Sequence, residues 1–194
     1  EAVPPKVDHA LQVLRVPFTS QAPNSNWSMP YQEACEEASM IMAAEYKGGN
    51  TSMRLAPSEA DGKILELVAW EEKHGYAIDL TAEQVVSVLK ERYGVTAHVE
   101  PYSAEAMRRA IQAKHPVILP AAGRLLGNPN FKRPGPLYHM LVVKGFEGNE
   151  FITNDPGTRL GENYRYDASV LAYAAHDWNG GDVTNGRAVV IVVE

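Results

Sequence analysis

The sequence predicts an α+β fold that keeps its helices and strands apart, and three observations carry that reading. Helical periodicity fills the first half, apolar extended runs fill the second, and tight turns join those runs where regular helical crossovers would otherwise stand. The chain has 194 residues and is 45% apolar, enough for one packed core, so a single domain over residues 1–194 is expected.

Leu11, Val13, Leu14 and Val16 read as an early strand that Pro17 ends, followed by a polar loop rich in Asn, Ser and Pro. A first helix is predicted from Glu33 to about Tyr46, with Cys35, Ala38, Met42 and Tyr46 on one inward face and Gly48-Gly49 as its stop. A second begins at Ser58, points Ile64, Leu67, Val68 and Trp70 or Glu71 inward, and ends near Gly75. Thr81 and Gln84 have capping-box spacing and open a third helix that stops at Gly94. A short strand is expected at Val95 to Val99, and then a helix capped by Ser103 through Ile111. Val117 to Leu119 reads as a brief buried strand between two prolines.

Ala121 to Pro136 holds three Gly, three Pro and two Asn without a hydrophobic period, which predicts a long surface loop. Tyr138 to Phe146 and Glu150 to Thr153 form a hairpin about Glu147-Gly148-Asn149, and Asp155-Pro156-Gly157 turns the chain again. A strand at Asn163 to Tyr166, a helix capped by Asp167 through Ala175 and a buried strand from Arg187 to Val193 complete the order.

Charge and motifs narrow the function. The balance is 18 − 24 = −6 with basic residues spread out, which disfavours nucleic acid or an anionic membrane as partner. No apolar run approaches the ~20 residues of a membrane span. The start Glu1-Ala2-Val3-Pro4-Pro5 reads as a trimmed product. The missing leader is either a secretion signal or a linker, so a secreted or cell-surface address is one expectation. Phosphate-binding, dinucleotide and Gly-x-Ser-x-Gly motifs are lacking, and the histidines lack zinc spacing, so no cofactor and no metal are expected.

Cys35 is the only cysteine, which excludes an intrachain disulfide and leaves packing, intermolecular chemistry or catalysis. Its place in the first turn of a helix favours the thiolate, because unpaired amides and the helix dipole stabilise negative charge there. Glu33, Glu36 and Glu37 oppose this unless they point to solvent. His139 sits in an otherwise apolar run and needs partners for its ring nitrogens. Asp155 ends the next strand of the same hairpin and can come alongside to hold one tautomer. Gln21, 35 − 21 = 14 residues before the thiol, can join the Cys35 amide in holding an oxyanion, with Gln32 as a rival donor.

This order of glutamine, cysteine, histidine and carboxylate resembles the papain-like cysteine peptidases. It looks most like the bacteriocin-processing double-glycine peptidases, family thirty-nine of the cysteine peptidases, and their stand-alone relatives. The resemblance rests on Val16-Pro17-Phe18-Thr19-Ser20-Gln21, the stretch from Trp27 through Cys35 to Met42, Tyr138 to Phe146, and Asn154-Asp155-Pro156-Gly157. It implies a papain-like fold, a thiol nucleophile at Cys35, a general base at His139, an orienting Asp155 and an oxyanion donor at Gln21. The implied activity is hydrolysis of a peptide or protein substrate by a monomer. Glu36 stands where those peptidases commonly carry glycine, and no transporter segment accompanies the chain. Two other readings stay open: a binding or adaptor domain on the same fold, and a transpeptidase or amidase using the same thiol.

Overall fold

The computed structural model describes residues 9–194, so the trimmed start read at Glu1 to Pro5 lies outside the described residues. Three helices follow a minimal first strand: β1 (Gln12–Val13), α1 (Cys35–Lys47), α2 (Pro57–Lys73) and α3 (Ala82–Tyr93). Next come β2 (Ala97–Pro101), α4 (Ala104–Gln112) and β3 (Val117–Ala122). The hairpin β4 (Tyr138–Glu147) and β5 (Glu150–Asn154) precedes β6 (Glu162–Asp167), α5 (Ala168–Ala174) and β7 (Val189–Val193). One sheet takes the order β2-β7-β3-β4-β5-β6, each pair antiparallel, with β1 beside the far end of β4. The predicted α+β layout is the one observed.

α1 is the element around which the rest is arranged. From Ala38 to Ala44 it carries no charged residue, and a helix with no polar face has to be covered on every side. It packs on β3 and β4 and against α2 and α3, and every residue from Cys35 to Ala43 is buried. Each fully buried Leu, Ile or Met side chain in such a core contributes about 1.5–3 kcal/mol. α2 turns Ala60, Ile64, Leu67 and Glu71 inward, so the sequence stripe is correct and its last member is an acid. The Thr81–Gln84 capping box forms as its spacing predicts, with Gly94 left-handed (φ 66°) at the other end of α3.

Differences from the sequence reading have local causes. Leu14 and Val16 are buried and Val13 exposed, in strand alternation, but only Gln12 and Val13 pair, opposite Phe146 and Gly145. Asn154 then draws the chain off the sheet, its amide donating to Val16 O (3.0 Å) and Pro17 O (3.3 Å). β3 runs through Pro120 instead of stopping at Leu119. Its neighbour β7 pairs only with Val117 and Ile118, so by Pro120 that edge needs no donor.

β4 outruns β5. Their pairing begins at Val142 with Asn154, which leaves the Tyr138 to Leu141 stretch of β4 bonded to β3 on one side only. The free edge of that stretch is where the candidate side chains of the sequence reading converge.

Candidate active site

Cys35 is the first residue of α1, after a 3-10 turn over Tyr31–Glu33 and a cap residue, Ala34, that supplies no side-chain oxygen. The amides of the first turn therefore lack a side-chain cap, a setting that favours an anion. The Met140 amide on the free edge of β4 also faces the sulfur and stabilises the thiolate. Two larger effects oppose them. Cys35 is buried (5% exposed), and burial followed by the charge and hydrogen bond of Glu36 pushes its pKa well above the ordinary thiol value. The Sγ–H donates to Glu36 Oε2 at 3.0 Å, and with only one proton it is not donating to an imidazole.

Glu36 and Glu37 do not point to solvent. They are 1% and 5% exposed, because α1 is enclosed on all sides and its first turn has no outer face. Leu80 N–H donates to Glu36 Oε1 at 3.3 Å, while Glu37 lies against Glu71 of α2. Burial, first of all, raises the pKa of all three carboxyls. The uncharged run from Ala38 to Ala44 was the sequence signal that these neighbours would be buried too.

His139 and Asp155 meet just beyond the last paired residues of the hairpin, Val142 and Asn154. Nε2 lies 2.7 Å from Asp155 Oδ1, with the two residues 1% and 0% exposed. With a carboxylate accepting there, a ring hydrogen sits on Nε2, which leaves Nδ1 as the nitrogen that can exchange a proton. Asp155 Oδ1 also accepts from Gly157 N–H (3.0 Å), and Oδ2 accepts from Tyr166 Oη–H (2.6 Å) and Asn128 Nδ2–H (3.4 Å). Burial acts to raise the Asp155 pKa, but the His139 charge and these hydrogen bonds outweigh it and hold it below the ordinary range. Phe131 covers the imidazole edge-on, its centroid 5.2 Å away. Gly157 is required by space: a Cβ there would lie 2.9 Å from His139 Cε1 and 2.8 Å from the Phe131 ring.

Gln21 is brought to the same place by the Asp155-Pro156-Gly157 turn, where its amide donates to Pro156 O at 3.0 Å. Its side chain is buried, and Nε2 donates to Tyr31 O (2.9 Å) and Gln32 O (3.0 Å) in the turn that leads into Cys35. Both amide hydrogens are thus engaged, while Oε1 is buried without a partner. The rival Gln32 is exposed and donates to Glu33. The structure therefore pairs His139 with Asp155, places the sulfur against the residue after His139, and sets Gln21 against the turn before Cys35. Asn128 and Tyr166, which complete the shell of Asp155, carried no sequence signal.

Among the described residues no group of three His, Cys, Asp or Glu is arranged to hold a metal, and no helix is long and apolar enough to cross a membrane.

A helix that begins at a lone thiol, buried against a sheet whose free edge presents a paired histidine, is the layout of papain-like cysteine peptidase domains. The chain belongs to the Peptidase_C39 like family, which matches residues 13–181. In fold it is similar to a crystal structure from Bacillus anthracis provisionally assigned as a C39-like peptidase. The TM-score is 0.59 at 14% identity, over 95% of this chain and 98% of that one. No curated protein matches the sequence.

Proposed function

We propose that the chain is a cysteine peptidase that hydrolyses peptide bonds in a peptide or protein substrate through a thioester on Cys35. The observation that carries this reading is the buried His139–Asp155 pair at 2.7 Å, with His139 on β4, the strand against which α1 and its first residue, Cys35, pack. His139 Nδ1 takes the thiol proton, and the thiolate attacks the scissile carbonyl carbon. The oxyanion is held by the Cys35 amide and by Gln21, whose side chain gives up one of its two carbonyl partners to donate. The C–N bond then breaks as the imidazolium proton passes to the leaving amine. Water, deprotonated by His139, cleaves the thioester and restores the thiol. Asp155 keeps the ring in one tautomer throughout.

A mixed library of quenched fluorescent peptides tests the proposal, with Cys35→Ala as control. Turnover that is lost in Cys35→Ala and blocked by a thiol alkylator is expected; no turnover in the wild type, or equal turnover in the variant, counts against it.

A binding domain without turnover is the second reading, and one contact favours it. The thiol hydrogen bond to Glu36 and the burial of Cys35 keep the sulfur protonated, as an inert thiol would be. The same library used for binding to the unmodified protein separates the two.

A further inference from the structure

We propose that the cavity beside His139 is a carboxylate-binding subsite for the leaving-group half of the substrate, an inference that rests on the peptidase reading. The cavity holds about 360 Å³, in the range of small-ligand sites, and the long loop before β4 encloses it. Three of its lining residues also build the catalytic pair's surroundings. Gly123 lies so close to His139 that an added Cβ would be 3.0 Å from the histidine Cβ; Phe131 covers the imidazole; Asn128 donates to Asp155. The imidazole gives its proton to the departing amine, so the peptide on the amine's side runs along the ring and toward this cavity.

Charge decides what the cavity accepts. Arg124 and Arg133 both line it, and no acidic residue does. Arg54, Arg92, Arg108, Arg165 and Arg187 each hold a carboxylate, and Arg15, Arg109 and Arg159, which hold none among the described residues, do not line the cavity. Arg124 and Arg133 hold none among the described residues; Arg124 Nε donates only to Gly135 O at 3.3 Å, at the cavity rim. From Glu105 to Glu147 the sequence has no intervening Asp or Glu, although the chain as a whole is at −6. Two unpaired guanidinium groups, each with a planar fork of donors, suit a carboxylate better than any other peptide group. That carboxylate is either an acidic side chain beyond the scissile bond or the free C-terminus of a short leaving fragment.

The test measures binding to the Cys35→Ala protein by fluorescence anisotropy, with three short Gly/Ala-rich labelled peptides. One ends in Asp-Asp with an amidated terminus, one in Asn-Asn with a free carboxylate, and one in Asn-Asn with an amidated terminus. At least one anionic peptide is expected to bind about tenfold tighter than the neutral one, the advantage shrinking with added salt. Which of the two does so identifies the source of the carboxylate. Arg124→Ala with Arg133→Ala should erase the advantage, and Lys at both positions should keep part of it; both side chains are exposed, so the fold is not at stake. Equal binding of all three peptides, no binding of any, or an advantage that survives the double Ala variant overturns the subsite. Because turnover is not read, a wild-type chain that cleaves nothing would sink the peptidase reading without altering this result.

Discussion

The Cys35 thiol donates its hydrogen to Glu36 Oε2 over 3.0 Å, across a single peptide bond and inside the core. Glu36 is fixed in turn by the Leu80 amide on its other oxygen. A neighbouring carboxylate disfavours the thiolate by charge and by hydrogen-bonding the protonated sulfur. Replacing Glu36 by Gln keeps the shape and removes the negative charge that Glu36 takes on as pH rises through its raised pKa. Alkylation of Cys35 by iodoacetamide in the alkaline range where Glu36 has ionised should then run several-fold faster than in the wild type, with its pH midpoint moved down. An unchanged rate would show that Glu36 does not restrain the thiol.

The His139–Asp155 pair should be worth more than any other contact in the site. Asp155→Asn removes the charge that fixes the Nε2–H tautomer, and kcat/KM against a cleaved peptide should fall by about 10²- to 10⁴-fold, as for His139→Ala. Circular dichroism distinguishes loss of chemistry from loss of fold. A smaller loss for Asp155→Asn than for Gln21→Ala would mean that the orienting role lies elsewhere.

Gln21→Ala should do two things where a pure oxyanion donor would do one. Its amide satisfies the carbonyls of Tyr31 and Gln32, so the substitution leaves both short of a donor just ahead of Cys35. A loss of about 1–3 kcal/mol in unfolding free energy should accompany the fall in activity, read from urea unfolding. Unchanged stability with reduced activity would assign the side chain to substrate alone.

Much of this was legible in the sequence because it is local. Capping residues, turn glycines and hairpin spacing fix α3, α4 and the β4–β5 hairpin, and Asp155 follows the last paired residue of β5, close enough in the chain to reach His139. What was not legible depends on contacts far apart in the chain. Tyr166 reaches Asp155 only because β6 pairs with β5, and Asn128 only because an aperiodic loop folds back over the sheet. Glu36 and Glu37 followed the ordinary rule that acids face water until the packing of α2, α3 and β4 closed that face.

Gly157→Ala tests how tightly that shell is built. A methyl group there meets His139 Cε1 and the Phe131 ring inside contact distance, and neither is the flexible end of a side chain. Overpacking of this kind costs about 1–3 kcal/mol. The thermal midpoint should fall and the His139–Asp155 bond should loosen, seen as loss of a downfield imidazole proton in the NMR spectrum. A variant with wild-type stability and that resonance intact would show slack around Gly157.

The three buried glutamates dominate the pH dependence of stability, and the sign follows from where their protons are held. Glu36, Glu37 and Glu71 have raised pKa values in the folded chain, chiefly by burial, with Asp79 near the α1 pair and Glu33 near Glu37 adding negative charge. Above the ordinary carboxylate range the unfolded chain has released these protons and the folded chain still holds them. Stability therefore falls as pH rises from that range toward the raised values, by about 1.4 kcal/mol per pH unit for each such proton. Asp155 acts oppositely: its lowered pKa stabilises the fold above the ordinary carboxylate range, and that contribution is lost as pH falls through the lowered value. The urea midpoint should accordingly be highest in mild acid and decline toward alkaline pH. Glu71→Gln, which supplies a neutral side chain in place of an acid with an unpartnered buried oxygen, should flatten the alkaline decline. A midpoint that rises from mild acid to alkaline pH, or the same slope in the variant, would mean that these carboxyls are ionised and solvated in the folded protein.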